Sequence, residues 1–126
     1  MTYDGRGDRI EHMGEVAVLV CADEGPSIRG VQEALDVVGT AFGGGAVWAA
    51  VPAGRLHEDF FQLRTGVAGE VTQKFVQYGV GLAVVGDISA HTAASAALRD
   101  LVREGNRGGG LWCVADLDEL RARLAG

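Results

Sequence analysis

The sequence predicts an α/β domain built on a mostly parallel sheet, and three observations carry that expectation. Four short apolar runs, Val16 to Val20, Val47 to Val51, Leu82 to Val85 and Leu111 to Ala115, lack the alternation of a strand with one wet face, so they read as strands buried on both sides. The stretches between them place apolar residues at steps of three and four, which is the spacing of one helix face. Strands alternating with helices require crossover connections, and those make successive strands parallel.

Taken in order, residues 1–8 read as a loose polar tail ahead of a single domain over 9–126. Arg9 to Met13 and Glu15 to Ala22 read as two strands joined tightly at Gly14, the first an antiparallel edge. Asp23-Glu24-Gly25-Pro26-Ser27 is a loop in which Ser27 is the candidate cap of a helix running to about Phe42. Ile28, Val31, Leu35, Val38 and Phe42 form its apolar stripe, and Gly43-Gly44-Gly45 ends it. The strand from Ala46 to Val51 is stopped by Pro52 and Gly54. Apolar residues at 60, 63, 67, 71, 75 and 78 then trace a helix from Phe60 to near Gly79.

After Leu82-Ala83-Val84-Val85 and the Gly86-Asp87 turn, a helix is expected from about Ser89 to Arg103, with Leu98, Leu101 and Val102 facing inward. Residues 105–110 read as a long flexible turn into the last strand. Asp116 with Glu119 three residues on has capping-box spacing for a final helix. The order is β-β-α-β-α-β-α-β-α.

Composition narrows the function classes. The 126 residues are 48% hydrophobic and 22% charged, ordinary for one globular domain. No apolar run approaches the ~20 residues of a membrane helix. The first residues lack the charged and apolar blocks of a signal peptide, so the cytoplasm is the expected location. A net charge of −6 argues against unspecific nucleic-acid binding, which needs a basic surface. Cys21 and Cys113 sit inside apolar runs and read as reduced structural thiols. His12, His57 and His91 are scattered, so neither a metal site nor a cofactor is expected. No Walker loop, G-x-G-x-x-G turn or G-x-S-x-G elbow is present.

The segment from Phe60 to Tyr78 is the most informative. Its apolar stripe is interrupted by Arg64-Thr65-Gly66 and by Gly69, and a glycine inside a helix costs about 1 kcal/mol against alanine. Glycines admit another backbone or a ligand, and a helix start offers free N–H groups to an anion. Arg64, Thr65, Gly66 and Gly69 are therefore candidate binding residues for a small anionic molecule or a partner protein, with Thr65 alternatively a helix cap or a phosphate acceptor. Gln73 and Tyr78 extend that surface, and Asn106 and Arg107 are placed near it. Glu70 and Lys74 stand four apart in the order that favours a surface ion pair. Asp23, Asp87 and Asp116 each follow a strand, which gathers them at the carboxyl edge of the sheet as turn formers and caps.

The element order, with a Gly-containing helix start in the middle, resembles the STAS fold of sulfate transporter and anti-sigma antagonist domains. In those antagonists the helix after the third strand begins with an Asp-Ser-Ser-Gly-Leu-like turn whose serine is phosphorylated by a partner kinase. Thr65-Gly66-Val67 takes the corresponding place, with Leu63 and Arg64 where that pattern has Asp and Ser. Across residues 15–125 the chain is similar to the bacterial domain-of-unknown-function family 4180. The shared pattern is Phe60-Phe61, Leu63, Thr65-Gly66, Ala68-Gly69-Glu70, Gln73-Lys74-Phe75, Tyr78, Ala83-Val84-Val85-Gly86-Asp87 and Glu104-Gly105-Asn106-Arg107-Gly108. Two functions follow as expectations. One is a STAS-like regulatory module that recognises a partner or an anion and is a candidate for pairing with a second copy of itself. The other is a small enzyme or ligand-binding protein of bacterial specialised metabolism, in which Lys74, Glu70 or Asp87 would handle protons.

Overall fold

A computed structural model describes residues 7–108 and 110–125. Five strands, β1 (Arg9–Met13), β2 (Val16–Val20), β3 (Trp48–Pro52), β4 (Gly81–Val85) and β5 (Leu111–Val114), lie side by side in chain order. β1 pairs antiparallel with β2, and all later pairs are parallel. The hairpin turns at Gly14, whose φ of 65° is the left-handed region that glycine enters without cost. The mixed α/β class and the antiparallel edge strand are as the sequence predicts.

Side chains alternate along each strand. Leu19, Ala49, Val51, Leu82, Val84 and Leu111 point to one face, where they pack with α1 (Val31–Gly43), α2 (Val67–Gln77) and α4 (Ala96–Arg107). Val18, Val20, Ala50, Ala83 and Val114 point to the other, covered by Leu120 of α5 (Leu117–Ala125). This two-sided burial is why the strands read as continuous apolar runs.

Helix boundaries differ from expectation in three places. α1 starts at Val31 after Gly30, not at Ser27, because the Glu33 carboxylate accepts the Arg29 and Gly30 amides at 2.9 and 3.1 Å; Ile28 instead bridges to Leu56. The stripe from Phe60 is not one helix. Two 3₁₀ turns, Glu58–Phe61 and Leu63–Thr65, precede α2, and the α-helix begins only after Gly66. The helix expected over 89–103 breaks at Ser95 into α3 (Ser89–Ala94) and α4, because the extended Ser95 turns its hydroxyl to the Leu98 amide at 3.1 Å as a cap. α4 then runs on through Gly105, Asn106 and Arg107, which the sequence assigns to a turn.

Two contacts tie the ends of the chain to this frame. Asp8, grouped by sequence with the tail, is buried, and its carboxylate accepts the Ala22 amide at 2.7 Å. Residues 1–6, the rest of that tail, lie outside the described residues. Arg121 of α5 binds Glu11 of β1 at 2.6 and 3.0 Å. Its guanidinium, seconded by Arg9, holds the Glu11 carboxyl below the usual 4.5. A depressed carboxylate pKa stabilises the fold fully above its unfolded value, and that gain is lost as pH falls through the folded pKa. Thermal unfolding of Glu11→Gln should therefore fall short of the parent most at neutral pH, with the two curves converging below about pH 4.5. A gap that stays constant down to about pH 2.5 would count against this contact.

Candidate functional site

The parallel strands send their carboxyl ends to one edge of the sheet, and the Arg64 turn sits there because the segment leaving β3 folds into consecutive 3₁₀ turns. His57 opens them by accepting the Asp59 amide on Nδ1 at 3.1 Å. Phe60 and Phe61 anchor them in the core. The Thr65 hydroxyl closes them: it lies 2.7 Å from the Asp59 carbonyl and 2.8 Å from that of Gln62, and accepts the Val67 amide at 3.2 Å. Gly66, at φ 77°, then reverses the chain into α2, a conformation that costs a side-chain-bearing residue roughly 1–2 kcal/mol.

Arg64 lines a hollow of about 350 Å³ beside this turn. Its walls are Phe61, Gln62 and Leu63 on one side and His91, Ser95 and Ala97 on the other. The His91 ring lies flat on Phe61, with centroids 4.0 Å apart and planes 9° from parallel. Ser95 and Ala97 belong to the start of α4, so the positive end of that helix dipole faces the hollow. Among the described residues, Arg64 has no carboxylate within ion-pair distance. A guanidinium, a helix start and an imidazole thus share one concavity, a combination suited to a carboxylate or phosphate group.

The other predicted site residues scatter. Glu70 stands in the first turn of α2 and so places a carboxylate at the positive end of that helix, though no side chain caps it. Gly69 serves no close packing, since nothing lies within 4 Å of a Cβ built there. Gln73 faces a groove between α2 and α4 instead. The expected Glu70–Lys74 pair does not form among the described residues; the Lys74 ammonium donates to Gln77 at 3.4 Å. Tyr78, Asn106 and Arg107 end their helices at the opposite edge of the sheet, about 15 Å away by the length of α2. Asn106 supports the fold there, because its side-chain oxygen accepts the Cys113 amide of edge strand β5 at 2.8 Å.

Asp87 and Asp116 act as turn former and cap. They accept the Ser89 amide at 2.9 Å and the Glu119 amide at 2.8 Å, and hydrogen bonding from the Ser89 hydroxyl, with its amide second, holds the Asp87 carboxyl below its usual range. Among the described residues no cluster of His, Cys, Asp or Glu could hold a metal. Burial pushes the Cys113 thiol up to about 11, which keeps it protonated and unreactive near neutrality.

Sequence reasoning missed Gln62, His91 and Ser95. Ser95 carries a readable signal, a hydroxyl residue ahead of Ala96-Ala97-Leu98. Nothing in the spacing could have brought His91 onto Phe61.

Fold and hollow together define a single-sheet α/β domain with a recess of about 350 Å³ at the carboxyl edge of its strands. The chain belongs to the family described as Domain of unknown function (DUF4180), whose model matches residues 13–124. No curated protein and no solved structure matches it significantly. No helix among the described residues is long and apolar enough to cross a membrane.

Proposed function

We propose that the protein works by recognition, receiving an anionic group of a small molecule or partner protein in the hollow at Arg64. The observation that carries this is the Arg64 guanidinium, without a carboxylate partner among the described residues, lining a concave recess with the start of α4. A STAS-like regulatory role is part of the same reading. It rests on the element order and on the position of the Arg64 turn after β3. Proton chemistry is the weaker reading, because Lys74, Glu70 and Asp87 do not line this hollow and do not meet one another. Phosphorylation of Thr65 would break the hydroxyl contacts that close its turn.

Titration of labelled protein with inorganic phosphate, followed by amide NMR, is expected to shift residues 62–64 and 95–98. Arg64→Ala should weaken that binding at least about tenfold, the loss of one charge-assisted hydrogen bond. Shifts confined to other regions, or an unaffected Arg64→Ala, would refute the proposal.

A further inference from the structure

The sheet ends laterally in two strands, β1 and β5, and the sequence guards them differently. β1 carries Arg9 and Glu11, and charges on an outermost strand deter the addition of another. β5 has no such protection. Gly109 to Ala115 holds no Asp, Glu, Lys, Arg or Pro, and Leu111-Trp112-Cys113-Val114 has the uncharged, strand-favouring composition through which chains pair with one another. The Gly110 and Val114 carbonyls face β4, where they accept the Leu82 and Gly86 amides at 2.8 and 3.0 Å. Backbone groups alternate sides along a strand, so Leu111, Cys113 and Ala115 turn theirs outward.

Each of these three is covered. The Cys113 amide donates to Asn106 Oδ1 and the Ala115 amide to Glu119 Oε1, both at 2.8 Å. At Leu111 the backbone of α4 presses on the carbonyl, since a Cβ added at Gly105 would fall well inside contact distance of that oxygen. Arg123 braces the arrangement: its guanidinium lies 3.8 Å over the Trp112 ring, and Nη2 donates to the Asn106 carbonyl at 2.8 Å.

We propose that Asn106 and Glu119 are guards of the β5 margin, which deny its outward amides to an incoming strand. Opening them lets two copies of the chain pair through β5, because in a purified solution the only strand on offer belongs to another copy. A merely structural contact, when lost, lowers stability and leaves the mass alone. A lost guard adds a partner. The inference concerns the lateral margin of the sheet and stands independently of the Arg64 recess.

Asn106→Ala keeps a helix-forming residue at the end of α4 and removes the acceptor. Light scattering coupled to size exclusion, at about 0.5 mM, should give it a higher mass than the parent protein. In dilute solution hydrogen exchange at the Cys113 amide should quicken about tenfold, the loss of one hydrogen bond, and should slow again as concentration rises and copies pair. Asn106→Asp retains an Oδ acceptor, so it is expected to keep the parent mass and the slow Cys113 exchange. Should Asn106→Ala fail to fold by circular dichroism, Glu119→Ala replaces it, read at the Ala115 amide with the same expectation. A folded variant that keeps the parent mass up to about 0.5 mM overturns the proposal. Association of Asn106→Asp as strong as that of Asn106→Ala overturns it as well.

Discussion

Replacing Arg55 with alanine is expected to lower the unfolding free energy by about 3–5 kcal/mol, the usual cost of removing one partner from a buried ionic contact. Only 5% of Arg55 is exposed. Its Nη1 donates to the Ala22 carbonyl at 3.1 Å, and Nε and Nη2 donate to the Pro26 carbonyl at 3.4 and 3.2 Å. The buried Asp8 carboxylate stands 3.9 Å away. The loop after β2 is wrapped so closely on the guanidinium that a Cβ at Gly25 would lie 2.9 Å from its central carbon. Alanine would leave two loop carbonyls and a carboxylate facing a void. Urea unfolding followed by circular dichroism measures the loss. The Asp8→Ala/Arg55→Ala pair should be destabilised by less than the sum of the single variants, since the two groups share one contact. Strict additivity, or a loss below about 1 kcal/mol for Arg55→Ala, would show that the loop is held by other means.

Gly81→Ala is expected to cost about 1–3 kcal/mol, the range for forcing extra volume into a packed site. A Cβ at Gly81 would lie 2.6 Å from the Trp48 indole, far inside contact distance. The indole borders an open hollow on one side and is held by Trp112 on the other. The two indoles lie with centroids 4.1 Å apart and planes tilted by 34°, while Trp112 carries the Arg123 guanidinium at 3.8 Å and donates from Nε1 to the Gly108 carbonyl at 2.9 Å. Near-ultraviolet circular dichroism should report the disturbed indole pair alongside the lower unfolding midpoint. An unchanged spectrum at parental stability would mean that Trp48 has a second resting place.

The contrast between these predictions and the sequence shows what a linear reading can reach. Strands β2 to β5 were legible because each is apolar on both faces over a run too short for a helix. The capping pair Asp116 and Glu119 was legible because its spacing is local, and the structure shows Glu119 accepting the Ala115 amide at 2.8 Å. The segment from Phe60 to Thr65 misled because a 3₁₀ turn and an α-helix bury apolar residues at similar steps, and only the left-handed Gly66 separates them. The Arg64 turn stands out in the sequence, but the companions that periodicity suggests for it all come from the same helix. The hollow instead recruits His91 and Ser95 from across the sheet edge. Arg55 left no trace in the pattern at all. It follows a Gly in a turn, where arginine is ordinarily solvated, and its burial depends on a loop nearly thirty residues earlier.

The order of the strands bears on how the chain reaches this state as it is synthesised. Each new strand docks beside the one made just before it, so no later segment has to insert between earlier ones and pairing stays short in loop length. α5 is the exception. It packs on β1 and β5 together, and through Arg121 it reaches back 110 residues to Glu11. The apolar face of the sheet beneath it therefore stays open until this nine-residue helix has left the ribosome, and a nascent chain stalled before Leu117 presents that face to whatever is nearby.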